Sequence, residues 1–151
     1  MDLRKPGWAI AVLLLSGSGA AAAAEPQIAA ADATAIRAIV EPFERPAGTF
    51  ANVDWENAFG GRRKGAADLT RFLTERVRPT MTGMKVTVEE VRLTPVTSDV
   101  VVADKYQTLS GQTDGPGGKV LPDRHVRHTY VLRRSADRWQ IVAERVADLR
   151  R

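Results

Sequence analysis

The chain has 151 residues, a formal net charge of +4 and no cysteine, which suits one domain held by its own core and excludes disulfides and thiol chemistry. Arginines and lysines are scattered among acids, with no block of five like charges. Nucleic-acid binding wants a concentrated basic stripe, so the surplus reads as solvated surface and no nucleic-acid partner is expected.

Residues 1–24 read as a secretory signal. Met1-Asp2-Leu3-Arg4-Lys5 is a short basic start, and Trp8–Leu15 is an apolar run. That run is far short of the roughly 20 residues a membrane-spanning helix needs. Ser16-Gly17-Ser18-Gly19 breaks it, and Ala22-Ala23-Ala24 fits the small-x-small rule for cleavage near Ala24/Glu25. An uncleaved membrane anchor is the alternative. Cleavage leaves 127 residues with net charge +3, because the leader takes Arg4 and Lys5 but also Asp2. A periplasmic or secreted domain without membrane attachment is expected.

Residues 25–31 read as a flexible lead-in to a domain over 32–151. Asp32 is suited to cap a helix running to about Phe43 or Glu44. Ala35, Ile36, Ile39, Val40 and Phe43 recur on one face of it. Pro42 kinks or ends this helix, since proline lacks the N–H its fourth predecessor needs. A short strand is predicted at Thr49–Val53, then Trp55, Phe59 and a turn at Gly60-Gly61. A second helix is predicted over Ala66–Val77, stopping before Pro79, with Leu69, Phe72, Leu73 and Arg76 or Val77 as its stripe.

From Lys85 the pattern is that of strands. Val86 and Val88 share one parity, Val91 and Leu93 the other. A β-bulge at Glu89-Glu90 makes such a flip. Pro95–Asp99 turns the chain into a strand over Val100–Gln112. A loop rich in glycine follows, then a strand over His125–Arg134, a turn at Ser135–Arg138 and a strand from Trp139 to about Val146. Helices first and an antiparallel meander after them mean an α+β fold. Helices laid on one face of a bent sheet enclose a cone.

Alternation across a strand then assigns faces. His128, Tyr130 and Leu132 are placed inside, because the other parity would bury Arg127 and Arg133 unpaired. Trp139, Ile141 and Ala143 are placed inside, with Arg145 continuing that face and Gln140 and Glu144 outside. On the strand from Val100, the parity of Asp104 and Tyr106 is preferred inside, since Lys105 favours water. Asp104, Tyr106, His128, Tyr130 and Arg145 then surround one cavity.

Arg127-His128-Thr129-Tyr130-Val131-Leu132-Arg133-Arg134, followed by Asp137-Arg138-Trp139-Gln140-Ile141-Val142, resembles the ending of the nuclear transport factor 2-like superfamily, in particular its SnoaL-like branch. The stretch from Phe59-Gly60 through Lys64-Gly65 is similar to the lead into that family's third helix. The resemblance spans about Asp32 to Ala147. It implies a cone of helices packed into a strongly curved sheet, often dimeric through the outer sheet face. It also implies a pocket used by isomerases, cyclases and dehydratases and by binding modules without catalysis. Two departures stand out. Val40–Thr49 leaves no room for the family's second helix. The histidine often found six residues after the tryptophan is replaced by Arg145, so its acid–base role is not carried over.

Acid–base work in such a pocket needs a carboxylate base and a neutral donor for the oxyanion. Asp104 is the candidate base, His128 the candidate proton shuttle near neutral pH. Trp55, Tyr106, Tyr130 and Arg145 are candidate contacts to a small apolar or aromatic ligand. The plainer alternative is that Asp104 pairs with Arg145 or a neighbouring lysine and only ties strands together. No cofactor is expected. His125 and His128 point to opposite strand faces, and the usual zinc sets lack their cysteines, so no metal is expected. The Gly115-Pro116-Gly117-Gly118 loop leads into a strand, which is not a phosphate cradle. Three functions remain: an exported small-molecule binder, an acid–base enzyme in the same pocket, or an association module. Val131, Thr129, Val142 and Val146 on the outer face make a homodimer an expectation in all three.

Overall fold

A computed structural model describes residues 26–45 and 48–150. The expected leader over residues 1–24 lies outside the described residues. Pro26–Ala29 carry no regular structure, and the first helix, α1, spans Ala30–Val40. Asp32 is not its cap, as expected from sequence, but sits inside its first turn. There it accepts hydrogen bonds from the Trp139 indole at 2.9 Å and from Arg134 at 3.1 Å. The helix ends two residues before Pro42, as a proline that cannot donate requires.

Strand β1 (Phe50–Glu56) is the next element after α1, and the described residues between them hold no further helix. The sequence reading stopped this strand at Val53 and missed β2 (Arg62–Lys64), which pairs back on β1. The hairpin between them closes at Gly60, whose φ of +78° suits glycine, with Asn57 Oδ1 accepting from the Gly61 amide at 2.7 Å. Helix α2 (Ala66–Phe72) runs on as one π-helical turn, Leu73–Val77, and then a 3-10 turn, Arg78–Met81, that accommodates Pro79 at its start.

The remaining strands are β3 (Lys85–Pro95), β4 (Val100–Ser110), β5 (Arg124–Ser135) and β6 (Arg138–Asp148). They form the predicted antiparallel meander, and β1 extends it by pairing parallel to β6. The six-stranded sheet has the order β2-β1-β6-β5-β4-β3. This is the expected α+β cone, with two helices against one face of a bent mixed sheet.

Bulges produce the bend. The flip expected at Glu89-Glu90 is present as a register shift between Val88 and Glu90. A second one was not expected. Leu132 pairs with Ile141 but Val131 pairs with Ala143, so Val142 is an extra residue in β6. Before it, Trp139 and Ile141 face the core; after it, Glu144 and Val146 do.

The core joins Ile36 and Val40 of α1, Leu69 of α2, and Val53, Trp55, Val101, Ala103, Tyr130, Leu132, Trp139 and Ile141 of the sheet. Trp139 anchors the meander to α1 through packing and through its bond to Asp32. Trp139→Ala is therefore expected to lower unfolding free energy by about 3–5 kcal/mol. Urea denaturation checks this, and a loss under about 1 kcal/mol would mean that the α1–β6 contact carries little of the fold.

Candidate functional site

Direct cross-strand partners share a sheet face. Lys105 pairs with His128, Ala103 with Tyr130, and Tyr130 with Glu144. These registers put Lys105, His128, Tyr130 and Glu144 on the inner wall, together with Gln107 from β4. Lys105 and Glu144 are each 1 % exposed, and Tyr130 is fully buried. Arg45, from the segment between α1 and β1, reaches the same wall.

The contacts form one network. One Arg45 Nη donates to Glu144 Oε1 at 2.7 Å and to the Tyr130 hydroxyl at 2.7 Å. His128 Nδ1 lies 2.8 Å from Glu144 Oε1, and its Nε2 lies 3.1 Å from Gln107 Nε2. An ionised carboxylate only accepts, so Nδ1 carries the ring proton. The free Nε2 lone pair then accepts from the Gln107 amide. The rings of His128 and Tyr130 stack at 5.8 Å.

Burial and charge set the protonation states. Burial pushes Lys105 down to about 8, with Arg45 adding to the shift and Glu144 and Glu41 opposing it. Burial likewise holds His128 below its ordinary value despite Glu144, which keeps the ring neutral at pH 7. Burial alone would raise Glu144; Arg45, His128 and Lys105 outweigh it and hold the carboxyl below its ordinary range. Burial pushes the Tyr130 phenol up, so it stays a neutral donor.

Several polar groups on this wall are left without partners. Arg45 Nε, Gln107 Oε1 and Glu144 Oε2 are buried and make no hydrogen bond. The Lys105 ammonium forms no hydrogen bond or ion pair among the described residues; it sits 5.9 Å from the centre of the Tyr130 ring. An open groove of about 320 Å³ is lined by Phe43, Glu44, Arg78, Met81, Thr82, Met84 and Val86, and by no residue of the network. Glu44 is the neighbour of Arg45 in the chain, and Val86 pairs with Leu109, which shares the inner face with Gln107.

The structure brings together two of the candidate residues, His128 and Tyr130, on the inner wall. Trp55 is also buried, but it packs on Phe72 at 5.4 Å within the core. Asp104, Tyr106 and Arg145 are placed differently from the sequence reading. Asp104 and Tyr106 lie on the outer face: Asp104 accepts from the Thr129 hydroxyl, and Arg92 stacks over the Tyr106 ring at 5.2 Å. Register decides this, because with Tyr130 inside its partner Ala103 must be inside, and so must Lys105. Arg145 turns outward because of the bulge at Val142. It bonds Asp54 at 2.8 Å rather than Asp104. Ala143, placed inside by simple alternation, pairs with Val131 on the outer face, and Glu144 takes the inner position. His125 bonds Thr108 on the outer face, opposite to His128. Among the described residues no three histidine or acidic side chains gather in a way that could hold a metal.

Sequence reasoning missed Arg45, Lys105, Gln107 and Glu144. The unbroken Ile141-Val142-Ala143 run was the one available sign of a phase change in β6. Lys105 gave no sign, since its burial follows from register across a long loop.

No protein-family model and no curated protein sequence matches the chain. Solved structures do. A domain of unknown function with a cystatin-like fold from Nostoc punctiforme is 20 % identical with a TM-score of 0.62, over 82 % of this chain and 81 % of that one. A hexachlorocyclohexane dehydrochlorinase from Novosphingobium barchaimii is 15 % identical with a TM-score of 0.60, over 78 % and 80 %. An NTF2-like protein with a cystatin-like fold from Novosphingobium aromaticivorans is 16 % identical with a TM-score of 0.54, over 67 % and 65 %. Likeness at this level of identity concerns the fold.

Proposed function

We propose that this cone, which has the NTF2-like, cystatin-like fold expected from the ending of its sequence, is an exported domain that binds a small molecule against its inner wall, at Arg45, Lys105, Gln107, His128 and Glu144. The observation that carries the reading is the set of unmet hydrogen-bond valences there. Buried polar groups are paired in nearly all native structures, because an unpaired one costs about 1–3 kcal/mol. A set of them gathered on one wall is what a bound molecule would satisfy.

A second reading is acid–base catalysis at the same wall, favoured by the Glu144–His128 pair. The dehydrochlorinase among the similar structures is a precedent for reaction chemistry in this fold. Against it, the Gln107 amide occupies the Nε2 lone pair that a general base needs. Binding without turnover is therefore preferred. Pairing of two copies through the outer sheet face remains part of the proposal, with Val102, Tyr106, Val131 and Ala143 as its apolar area. Val146 is not part of that area, since it faces the core side opposite His128.

Native mass spectrometry of gently purified protein tests the binding reading. A co-purified small molecule that is lost in Glu144→Gln is the expected result. A clean protein mass, with no thermal shift across a metabolite panel, would overturn it.

A further inference from the structure

The charges on the inner wall do not balance. Arg45 and Lys105 are cationic, Glu144 is anionic and His128 is neutral; Glu41, the other acid that acts on Lys105, is exposed and bound by Arg37 at 3.1 Å, so the buried wall itself keeps an excess of one positive charge. A buried charge without a partner is unfavourable by several kcal/mol in the absence of compensation. Among the described residues, Glu144 is the one carboxylate bonded within the network, and both Arg45 and His128 use its Oε1. The unmet donors are also specific in kind. Arg45 Nε calls for an anionic oxygen, and Gln107 Oε1 and Glu144 Oε2 call for an O–H or N–H donor; the Lys105 ammonium, whose contact on this wall is the face of the Tyr130 ring at 5.9 Å, also favours an anion.

We infer that the ligand is a small monocarboxylate that also carries a hydroxyl group, with an apolar tail. The carboxylate meets Lys105 and Arg45 and cancels the excess charge. The hydroxyl donates to Gln107 Oε1 or Glu144 Oε2. The tail lies in the groove, against Phe43, Met81, Met84 and Val86. A dianion such as phosphate would overshoot the single excess charge. The inference rests on the small-molecule reading above and names the class of molecule. Lys105 also sets a pH limit. The groups that face it are Glu41 and Arg45 from the α1 side, His128 and Tyr130 on β5, and Glu144 on β6. Loss of its proton removes the excess charge, so affinity for the acid falls as pH rises past about 8.

Isothermal titration with matched pairs tests this: mandelate against mandelamide, 3-hydroxyhexanoate against its amide, hexanoate against hexanamide, with inorganic phosphate as a further probe. The expected result is that each hydroxy acid binds at least about tenfold more tightly than its amide at pH 7 and more tightly than hexanoate. That preference should vanish in Lys105→Met and weaken at pH 9. Equal binding of acid and amide, tighter binding of phosphate, or an unchanged preference in Lys105→Met would overturn the inference and leave the small-molecule reading standing. Binding of none of the probes would also overturn it; the small-molecule reading then falls only if native mass spectrometry finds no co-purified molecule.

Discussion

Lys105→Met is expected to be more stable than the wild type at neutral pH. The native state holds this lysine down to about 8, against 10.5 for a free side chain. Below pH 8 the folded protein therefore carries the full unfavourable effect of a buried, unpaired ammonium. Above 10.5 the side chain is neutral in both states and the penalty is gone. The shift converts to roughly 3 kcal/mol at pH 7. Methionine fills a similar volume with no charge, so it should recover most of that. The gain should shrink steadily as pH rises from 8 towards 10.5. Urea denaturation across that range measures it. A Lys105→Met protein that is less stable than the wild type at pH 7 would mean that the ammonium is paired after all. A stabilising loss of a side chain is what a retained functional group predicts, since sites commonly trade stability for binding.

The opposite sign is expected for Glu144→Ala. Glu144 is the acceptor that both Arg45 and His128 use, at 2.7 and 2.8 Å. Removing one partner of a buried ion pair leaves the other charge uncompensated and costs about 3–5 kcal/mol. In a domain of this size the melting temperature should fall by about 10 °C or more. The effect depends on pH in a definite sense. The folded state holds the Glu144 carboxyl below its ordinary 4.5, so the stability it supplies is present above that value. It is lost as pH falls through the lower folded value, and the gap between wild type and variant should close in acid. Thermal melts at neutral and acidic pH check both points. Combining the variant with Arg45→Ala should cost less than the two changes summed, because the second removes the stranded charge. A loss below about 1 kcal/mol for Glu144→Ala would mean that water screens the pair.

The fold could be read from the sequence to a large degree, and the site only in part. The four late strands lie within a few residues of where their alternation put them, and the kink at Glu89-Glu90 was visible as two valine parities. His128 and Tyr130 were assigned inward correctly because the other parity would have buried Arg127 and Arg133. The general preference of lysine for water places Lys105 outward, and its burial is the exception that matters. What puts it inside is the register with β5, fixed through a loop of 13 residues, 111–123, whose closure no local pattern encodes. In β6 simple alternation runs straight through Val142. The single extra residue there exchanges Arg145 for Glu144 on the inner wall, and with it the sign of the charge. Arg45 was missed because its role depends on the path between α1 and β1, which carries no periodic signal. The lack of a helix among the described residues between those two elements follows from the shortness of that stretch.

Everything proposed for the inner wall requires Lys105 and Glu144 to face inward together. Titration of the lysine side-chain signals by NMR tests it most directly, and the chain has only five lysines to assign, Lys5, Lys64, Lys85, Lys105 and Lys119. Lys105 should titrate near 8 and move upward when a hydroxy acid is added, while the lysine signals of Lys64, Lys85 and Lys119 hold their positions. A Lys105 that titrates near the ordinary 10.5 with no response to any acid would place it in water, and the inner wall would then not be built as described.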